Sequence, residues 1–177
     1  MKLKDKLIEL SIKVPDPVAP AGNYVPYKIV NNHIYISGQI PLTKDAIVNP
    51  GKETSGNINA PSIITGKVPS EVSVELAIKA AEICIINTMS ILIEATNNAN
   101  CEQVSCLSVS GFVNSDVNLT EHPEIINGAS DMLYKILGDN GKHTRIAVGC
   151  ASLPRNAAVE ISSVSYTHLT LPTILLV

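Results

Sequence analysis

A chain of 177 residues is long enough to form one domain with a substantial core. Its formal net charge of −3 and its aromatic content of 3% argue against nucleic-acid binding, which needs basic surfaces and, for single strands, stacking rings. The four cysteines form no C-x-x-C pair and the four histidines lack ligand spacing, so we expect reduced structural thiols and no metal site.

The N-terminal segment predicts a short helix over residues 3–12, because Leu3, Leu7 and Leu10 fall on one face. Prolines after it predict an extended arm. Lysines and acids interrupt this segment, which is unlike a signal peptide, and we expect no stretch long enough to span a membrane. These features favour a cytoplasmic protein.

Residues 24–42 predict a β-hairpin in which Asn31 and Asn32 form the tight turn. Gly38, near the end of the second strand, indicates a bulge or a close approach by another backbone or a ligand. The segment that follows is rich in Gly, Pro, Asn, Ser and Thr. It predicts a long loop, assigned as an insertion over 49–65 with a short strand at 46–48, which is either functional or a tolerated insertion.

Two long helices are predicted in the second half of the chain. The first spans 73–96, starts at Ser73 as its N-cap, and is apolar over so much of its circumference that it should lie across a sheet. A strand over 103–113 follows. The second helix spans 120–141 and buries a stripe formed by Ile125, Ala129, Met132 and Ile136.

The last two strands, 145–153 and 157–165, are separated by three residues and predict a hairpin-like pair. The order β-β-α-β-α-β-β indicates a single α+β domain over residues 1–165. Residues 166–177 have no place in this plan. They are interpreted as a tail outside the domain, either a cloning or assembly artefact or an extra strand on an oligomer surface.

Arg145 opens a strand in which the same-face positions Ala147, Gly149 and Ala151 are small. Small neighbours leave space above a sheet, and the planar guanidinium fork suits a carboxylate or a phosphate. The alternatives are an ion pair with a surface acid or a role in an interface.

Glu160 alternates with apolar neighbours on the last strand. If the last two strands pair, it lies on the same face as Arg145, where it either positions a water or forms a salt bridge with that arginine. Tyr24 and Gly38 could approach the same pocket. Asn127 is a poor helix former inside a helix, so it marks either a contact to the site or a tolerated polar position.

Four stretches, "NYVPY", "ISGQIPL", "HPEIINGASDML" and "HTRIAVGCASLPRNAAVEIS", resemble the Rid family (YjgF-like proteins, often labelled endoribonuclease L-PSP) in order and spacing. The resemblance covers nearly all of residues 1–165 and is to the longer subgroup with an N-terminal helix. It implies a chorismate-mutase-like α+β fold with a mixed sheet and two main helices on one face. It also implies a homotrimer with ligand clefts between subunits, so the small-residue face is expected to meet a neighbouring subunit.

The activity that the resemblance implies is that of a hydrolytic deaminase. Such an enzyme converts enamine or imine intermediates, such as 2-aminoacrylate or 2-iminobutyrate, to the 2-keto acid and ammonia. Neither a cofactor nor a metal is implied. Arg145 matches the family residue that holds the substrate carboxylate, and Glu160 matches the one that places the water. The remaining matches to family ligand-binding positions are Tyr24, Gly38, Asn127 and Ala147.

One of these positions departs from the family pattern. Many active members have a cysteine where this chain has Ala147, whose backbone could still serve. A second reading is therefore a non-catalytic module that binds a small carboxylate or 2-keto acid in the same cleft. A third, ribonuclease, follows the family label and is disfavoured by the acidic balance and the few aromatic residues.

Overall fold

A computed structural model describes residues 1–17, 20, 22–43 and 62–168. The helices of this part are α1 Leu3–Glu9, α2 Val74–Ala95 and α3 His122–Leu137. Its strands are β1 Tyr27–Val30, β2 His33–Gln39, β3 Leu42–Thr43, β4 Ser62–Ile63, β5 Val104–Asn114, β6 Thr144–Cys150 and β7 Val159–Thr167.

Five of the strands form one mixed sheet in the order β1-β2-β7-β5-β6, and β3 pairs with β4 in a separate ribbon. The β5–β6 pair is parallel and the other pairs are antiparallel. Helix α2 packs on β2 and β7, and α3 packs on β5 and β6 and against α2. The core lies between these helices and one face of the sheet, which confirms the predicted α+β fold with two main helices on one face.

The sheet order shows that the predicted pairing of the last two strands is wrong. Strand β5 lies between β6 and β7, pairing in parallel with β6 and antiparallel with β7. A parallel pair needs a crossover connection, and α3 supplies it between β5 and β6. Strand β7 takes the other edge of β5, so that the 11-residue strand pairs with β7 over 104–113 and with β6 over 108–114.

The local predictions are confirmed where a single residue determines the backbone. Asn31 and Asn32 have φ values of 47° and 65° in the β1–β2 turn. Ser73 caps α2, because the Leu76 backbone N–H donates to its Oγ at 3.2 Å. The ends of α3 also fit their residues, since Pro123, which suits a first helical turn, lies in its first turn and Gly138 follows its last residue with a φ of 59°.

Two predicted boundaries differ from the structure. Strand β7 continues through Thr167, beyond the expected end near Ser165, because Tyr166 pairs with both neighbouring strands. Ser62–Ile63 forms a strand inside the expected 49–65 loop. The proposed strand at 46–48 and residues 169–177 of the proposed tail lie outside the described residues.

Helix α2 also corrects the expectation about membrane-spanning length. It has 22 residues, and its most apolar 18-residue window has a mean hydropathy of 1.8, which is long and apolar enough to cross a bilayer. About two thirds of that window (67%) is buried inside the fold. Packing against the sheet and α3 therefore explains the apolar composition of this helix.

The two long helices approach each other closely at Gly128 of α3. A Cβ built on this residue would overlap the backbone carbonyl oxygen of Ile78 in α2. The obstacle is backbone, which cannot rotate out of the way as a flexible side chain can. The absence of a side chain at Gly128 is therefore a condition of this helix–helix contact.

Gly128→Ala is expected to destabilise the fold by about 1–3 kcal/mol, because an added methyl group forces the helices apart. Helix propensity alone predicts the opposite sign, a gain of up to about 1 kcal/mol for Ala over Gly. Urea unfolding measures the difference. Lys135→Ala, at an exposed position of the same helix, serves as the control. Equal or greater stability of the glycine variant would contradict the close contact.

Candidate functional site

Arg145 lies on the helix-covered side of the sheet, at its β6 edge. It is in register with Val109 of β5, which is buried in the core. Its guanidinium Nη1 donates to Asn127 Oδ1 at 2.8 Å and to Ser130 Oγ at 3.0 Å, and both acceptors belong to α3. Asn127 and Ser130 are three residues apart, which places them on one face of the helix.

These two bonds determine how the guanidinium can bind a ligand. Nη1 carries two hydrogens, and both are used. The Nε and Nη2 groups make no hydrogen bond within the described part of the chain. The edge formed by Nε and Nη2 presents two parallel N–H donors, the geometry that a carboxylate accepts with both oxygens.

A shallow depression of about 320 Å³ adjoins this arginine. Its lining comes from α3, from the turn after it and from the start of β6: Ser130, Asp131, Tyr134, Gly141, Lys142, His143 and Arg145. A larger cavity, of about 630 Å³, lies between the N-terminal arm, α2 and α3 and includes none of the predicted site residues. We place the candidate site at the smaller depression, because a charged group with unused donors lies there.

Sequence reasoning did not single out Ser130 or His143. Ser130 Oγ lies 3.1 Å from His143 Nε2, and His143 Nδ1 lies 2.6 Å from the Gly141 carbonyl oxygen. The three-residue spacing from Asn127 to Ser130 was the available signal for the serine, since it predicts a shared helix face. His143 precedes Arg145 by two residues on an extended segment, which predicts the same side of the chain.

A second cluster contains Gly38 and Glu160. A Cβ on Gly38 would overlap the Glu160 carboxylate oxygen Oε1, so the glycine allows this carboxylate to lie against the β2 backbone. The β2–β7 register shifts between Ile36 and Gln39, which confirms the bulge predicted at Gly38.

The backbone next to Tyr24 is tied to the strand that carries Gly38. Ser37, next to Gly38, donates from Oγ to the Val25 carbonyl oxygen at 2.7 Å, which ties the backbone after Tyr24 to β2. The Tyr24 side chain is 53% exposed. It is therefore available to a ligand or a partner at this end of the sheet.

The environment of Glu160 favours its protonated form. Desolvation by partial burial raises the pKa of this carboxyl group above its ordinary value. Within the described ranges it has no ion-pair partner, so no cation opposes the effect of burial. A carboxylate of this kind is a better proton acceptor than an exposed glutamate.

The expectation that Glu160 shares a face of the sheet with Arg145 is wrong, and the two clusters are therefore separate within one chain. Arg145 is in register with Val109, and Glu160 is in register with Phe112. These two β5 residues are three positions apart along a segment with regular pairing, so their side chains lie on opposite faces of the sheet. The arginine faces the helices, and the glutamate lies on the open face.

The small residues on β6 have different surroundings within the chain. Ala147 packs against the hydrophobic core on the α3 side of the sheet. A Cβ on Gly149 would overlap Ser115 Oγ and approach His122 Nε2, which shows why this position is small. Ile146 and Val148, on the opposite face, are 58% and 41% exposed. Ala147 therefore packs within the chain, Gly149 and Ala151 are exposed, and the apolar residues Ile146 and Val148 lie on the open face.

The four cysteines are free thiols. Burial raises the pKa of Cys106 to about 12 and that of Cys84 well above its ordinary value. Such thiols carry little thiolate at neutral pH, as expected for structural cysteines. Among the described residues, no group of three or more His, Cys, Asp and Glu side chains could hold a metal ion.

Comparison with known proteins relates this arrangement to a family. Residues 4–165 match the family described as "YjgF/chorismate mutase-like, putative endoribonuclease". The chain is 34% identical over 159 residues to Protein TCP17 of Trypanosoma cruzi, in an alignment that covers 89% of each sequence.

Solved structures agree with this match. The protein Atu1372 of Agrobacterium tumefaciens, whose function is unknown, has 35% identity and a TM-score of 0.74, with 94% of this chain and 92% of that chain covered. RidA from an Antarctic Psychrobacter species shares the fold at 20% identity and a TM-score of 0.53, with coverage of 87% and 95%. The family match over residues 4–165 and the 34% identity to TCP17 show that the chain belongs to the YjgF/chorismate mutase-like family.

Proposed function

We propose that this protein is a hydrolytic deaminase of small 2-imino acids and their enamine tautomers, of the 2-aminoacrylate or 2-iminobutyrate type. In the proposed reaction, water adds to the C=N carbon, the C–O bond forms, and the resulting carbinolamine loses ammonia to give the 2-keto acid. Atoms balance with water as the only co-substrate. Positioning of the substrate and of the water can supply the catalysis.

The observation that carries the proposal is the free donor edge of Arg145. Asn127 and Ser130 occupy both Nη1 hydrogens, which leaves Nε and Nη2 available to a ligand. A planar carboxylate matches two parallel donors. The adjoining depression of about 320 Å³ is suited to a small acid, being at the lower end of the range for ligand pockets.

In this proposal Glu160 accepts a proton from the attacking water. Because Arg145 and Glu160 lie on opposite faces and β5 separates their strands, the active site is assembled from two copies of the chain. One copy supplies Arg145 with Asn127 and Ala147, and its neighbour supplies Glu160 with Gly38 and Tyr24. The exposed apolar residues of the open face, such as Ile146 and Val148, are suited to contact between copies in a homotrimer.

A non-catalytic carboxylate-binding module is the second candidate. The arginine cluster is complete in one chain, so it can bind a carboxylate whether or not Glu160 of a neighbour completes a catalytic site. Ala147, in place of the thiol found in many active relatives, is compatible with binding alone. Turnover distinguishes the two functions, because both require Arg145 and only the deaminase requires Glu160.

The direct test generates 2-iminobutyrate in situ with an amino-acid oxidase and traps the remaining imine with semicarbazide. The protein is expected to reduce the amount trapped, and Arg145→Ala is expected to lower kcat/KM by about 100-fold through loss of charged hydrogen bonds. Arg155→Ala, at an exposed arginine, is the matched control and should retain activity.

Two outcomes of this test count against the proposal. A folded wild-type protein that does not accelerate imine loss would overturn the deaminase function. Acceleration that persists in Arg145→Ala would show that the carboxylate site lies elsewhere. Binding of 2-oxobutyrate without turnover would favour the binding module.

Glu160 makes the proposed activity dependent on pH. Its raised pKa means that the carboxylate becomes protonated at a higher pH than an exposed glutamate does, so activity should fall on acidification through that raised pKa. Glu160→Gln cannot accept the proton and should lose activity by about 10²–10⁴-fold. A pH–rate profile of kcat/KM checks this, with the exposed Glu124→Gln as control. An unchanged profile in Glu160→Gln would exclude this carboxylate as the base.

A further inference from the structure

A chain of hydrogen bonds extends from the candidate carboxylate site into the protein. Arg145 Nη1 donates to Ser130 Oγ at 3.0 Å, Ser130 Oγ lies 3.1 Å from His143 Nε2, and His143 Nδ1 lies 2.6 Å from the Gly141 carbonyl oxygen. This series of hydrogen bonds joins α3 to the residues at the start of β6. Its two ends are fixed in direction, because a guanidinium can only donate and a carbonyl oxygen can only accept.

For a singly protonated His143 ring, these fixed ends determine where the hydrogens between them lie. Since the Gly141 oxygen accepts, His143 Nδ1 carries a hydrogen. In the neutral ring, Nε2 is then an acceptor, and the Ser130 hydroxyl donates to it while receiving the Arg145 N–H. Every donor in this series of hydrogen bonds has an acceptor, and a lone pair of Ser130 Oγ is held toward Arg145.

We propose that His143 is a positioning residue for the carboxylate site, acting through Ser130. The neutral Nδ1–H tautomer of His143 orients the Ser130 hydroxyl, and the hydroxyl with Asn127 holds Nη1 so that the Nε–Nη2 edge faces the ligand. His143 itself does not touch the substrate. The inference deepens the proposed function, on which its kinetic consequences rest, whereas the tautomer and the binding effect do not require turnover.

A second Ser–His pair in the same chain provides an internal comparison. Ser115 Oγ lies 3.2 Å from His122 Nε2, over Gly149 near the end of β6. Among the described residues, no arginine donates a hydrogen bond to either side chain of this pair, and the Arg145 acceptors are Asn127 and Ser130. His122→Gln is therefore a matched control for the same chemistry without a guanidinium.

The first measurement is the tautomer of His143, read from long-range ¹H–¹⁵N correlations of the full-length protein labelled at histidine. The proposal predicts that Nδ1 carries the hydrogen and that Nε2 accepts from Ser130. Ser130→Ala leaves Nε2 without its donor and should shift the Nε2 resonance. A ring protonated at Nε2 in the wild type would overturn the proposal.

The second measurement is the Kd for 2-oxobutyrate, used as a carboxylate probe, by calorimetry. Ser130→Ala and His143→Phe are expected to raise Kd by about tenfold, the effect of losing one hydrogen bond that positions a charged group. His143→Gln keeps an acceptor toward Ser130 and should restore Kd to within about twofold of the wild type. His122→Gln should leave Kd unchanged.

Kinetics with 2-iminobutyrate separate positioning from a general structural effect. The arginine holds the carboxylate in both ground and transition states, so Ser130→Ala and His143→Phe should raise KM and leave kcat nearly unchanged. An unchanged Kd in both variants, or equal losses in His143→Gln and His143→Phe, would overturn the positioning role. A wild type that binds 2-oxobutyrate without hydrolysing the imine would overturn only the deaminase function.

Discussion

The position of β5 between β6 and β7 is the constraint on which the candidate site depends. This strand pairs along both edges and places Arg145 and Glu160 in register with two of its own residues that are three apart. Alternation of side chains along β5 then sends the arginine toward the helices and the glutamate to the open face. A single chain therefore carries two separate clusters, and the proposed chemistry takes one group from each of two copies of the chain.

The arginine cluster owes its geometry to α3. The helix connects β5 to β6 as the crossover of a parallel pair, and the same helix supplies the Asn127 and Ser130 acceptors for the guanidinium. The contact between α3 and α2 at Gly128 holds the helix against its neighbour, one residue from Asn127. Packing of the helical layer and orientation of the carboxylate-binding edge are thus linked through a short stretch of α3, and a change in helix position would be transmitted directly to Arg145.

Sequence reasoning succeeded where short-range physics determines the structure. The Asn31–Asn32 turn and the Ser73 cap depend on a few neighbouring residues, and their positions were predicted. The strand order was not predicted, because closeness in sequence suggested a hairpin, whereas α3 makes β6 a parallel partner of β5. The small residues Ala147 and Gly149 suggested an interface; Ala147 packs against the core, and Gly149, although exposed, is closely approached by Ser115 and His122, contacts that no local pattern reveals. The family resemblance pointed to Arg145 and Asn127. It did not point to His143, because the role of this histidine depends on a contact with Ser130 that the sequence does not reveal.

The central claim is that a working site combines Arg145 of one copy with Glu160 of another, and subunit mixing tests it most directly. Arg145→Ala and Glu160→Gln chains, each inactive alone, are co-expressed in equal amounts and assayed with 2-iminobutyrate. Random assembly should restore about a quarter of the sites, those that receive an intact arginine from one chain and an intact glutamate from the other. If both groups acted within one chain, no mixed assembly would contain an intact site, and an absence of recovered activity in verified mixed oligomers would contradict the account.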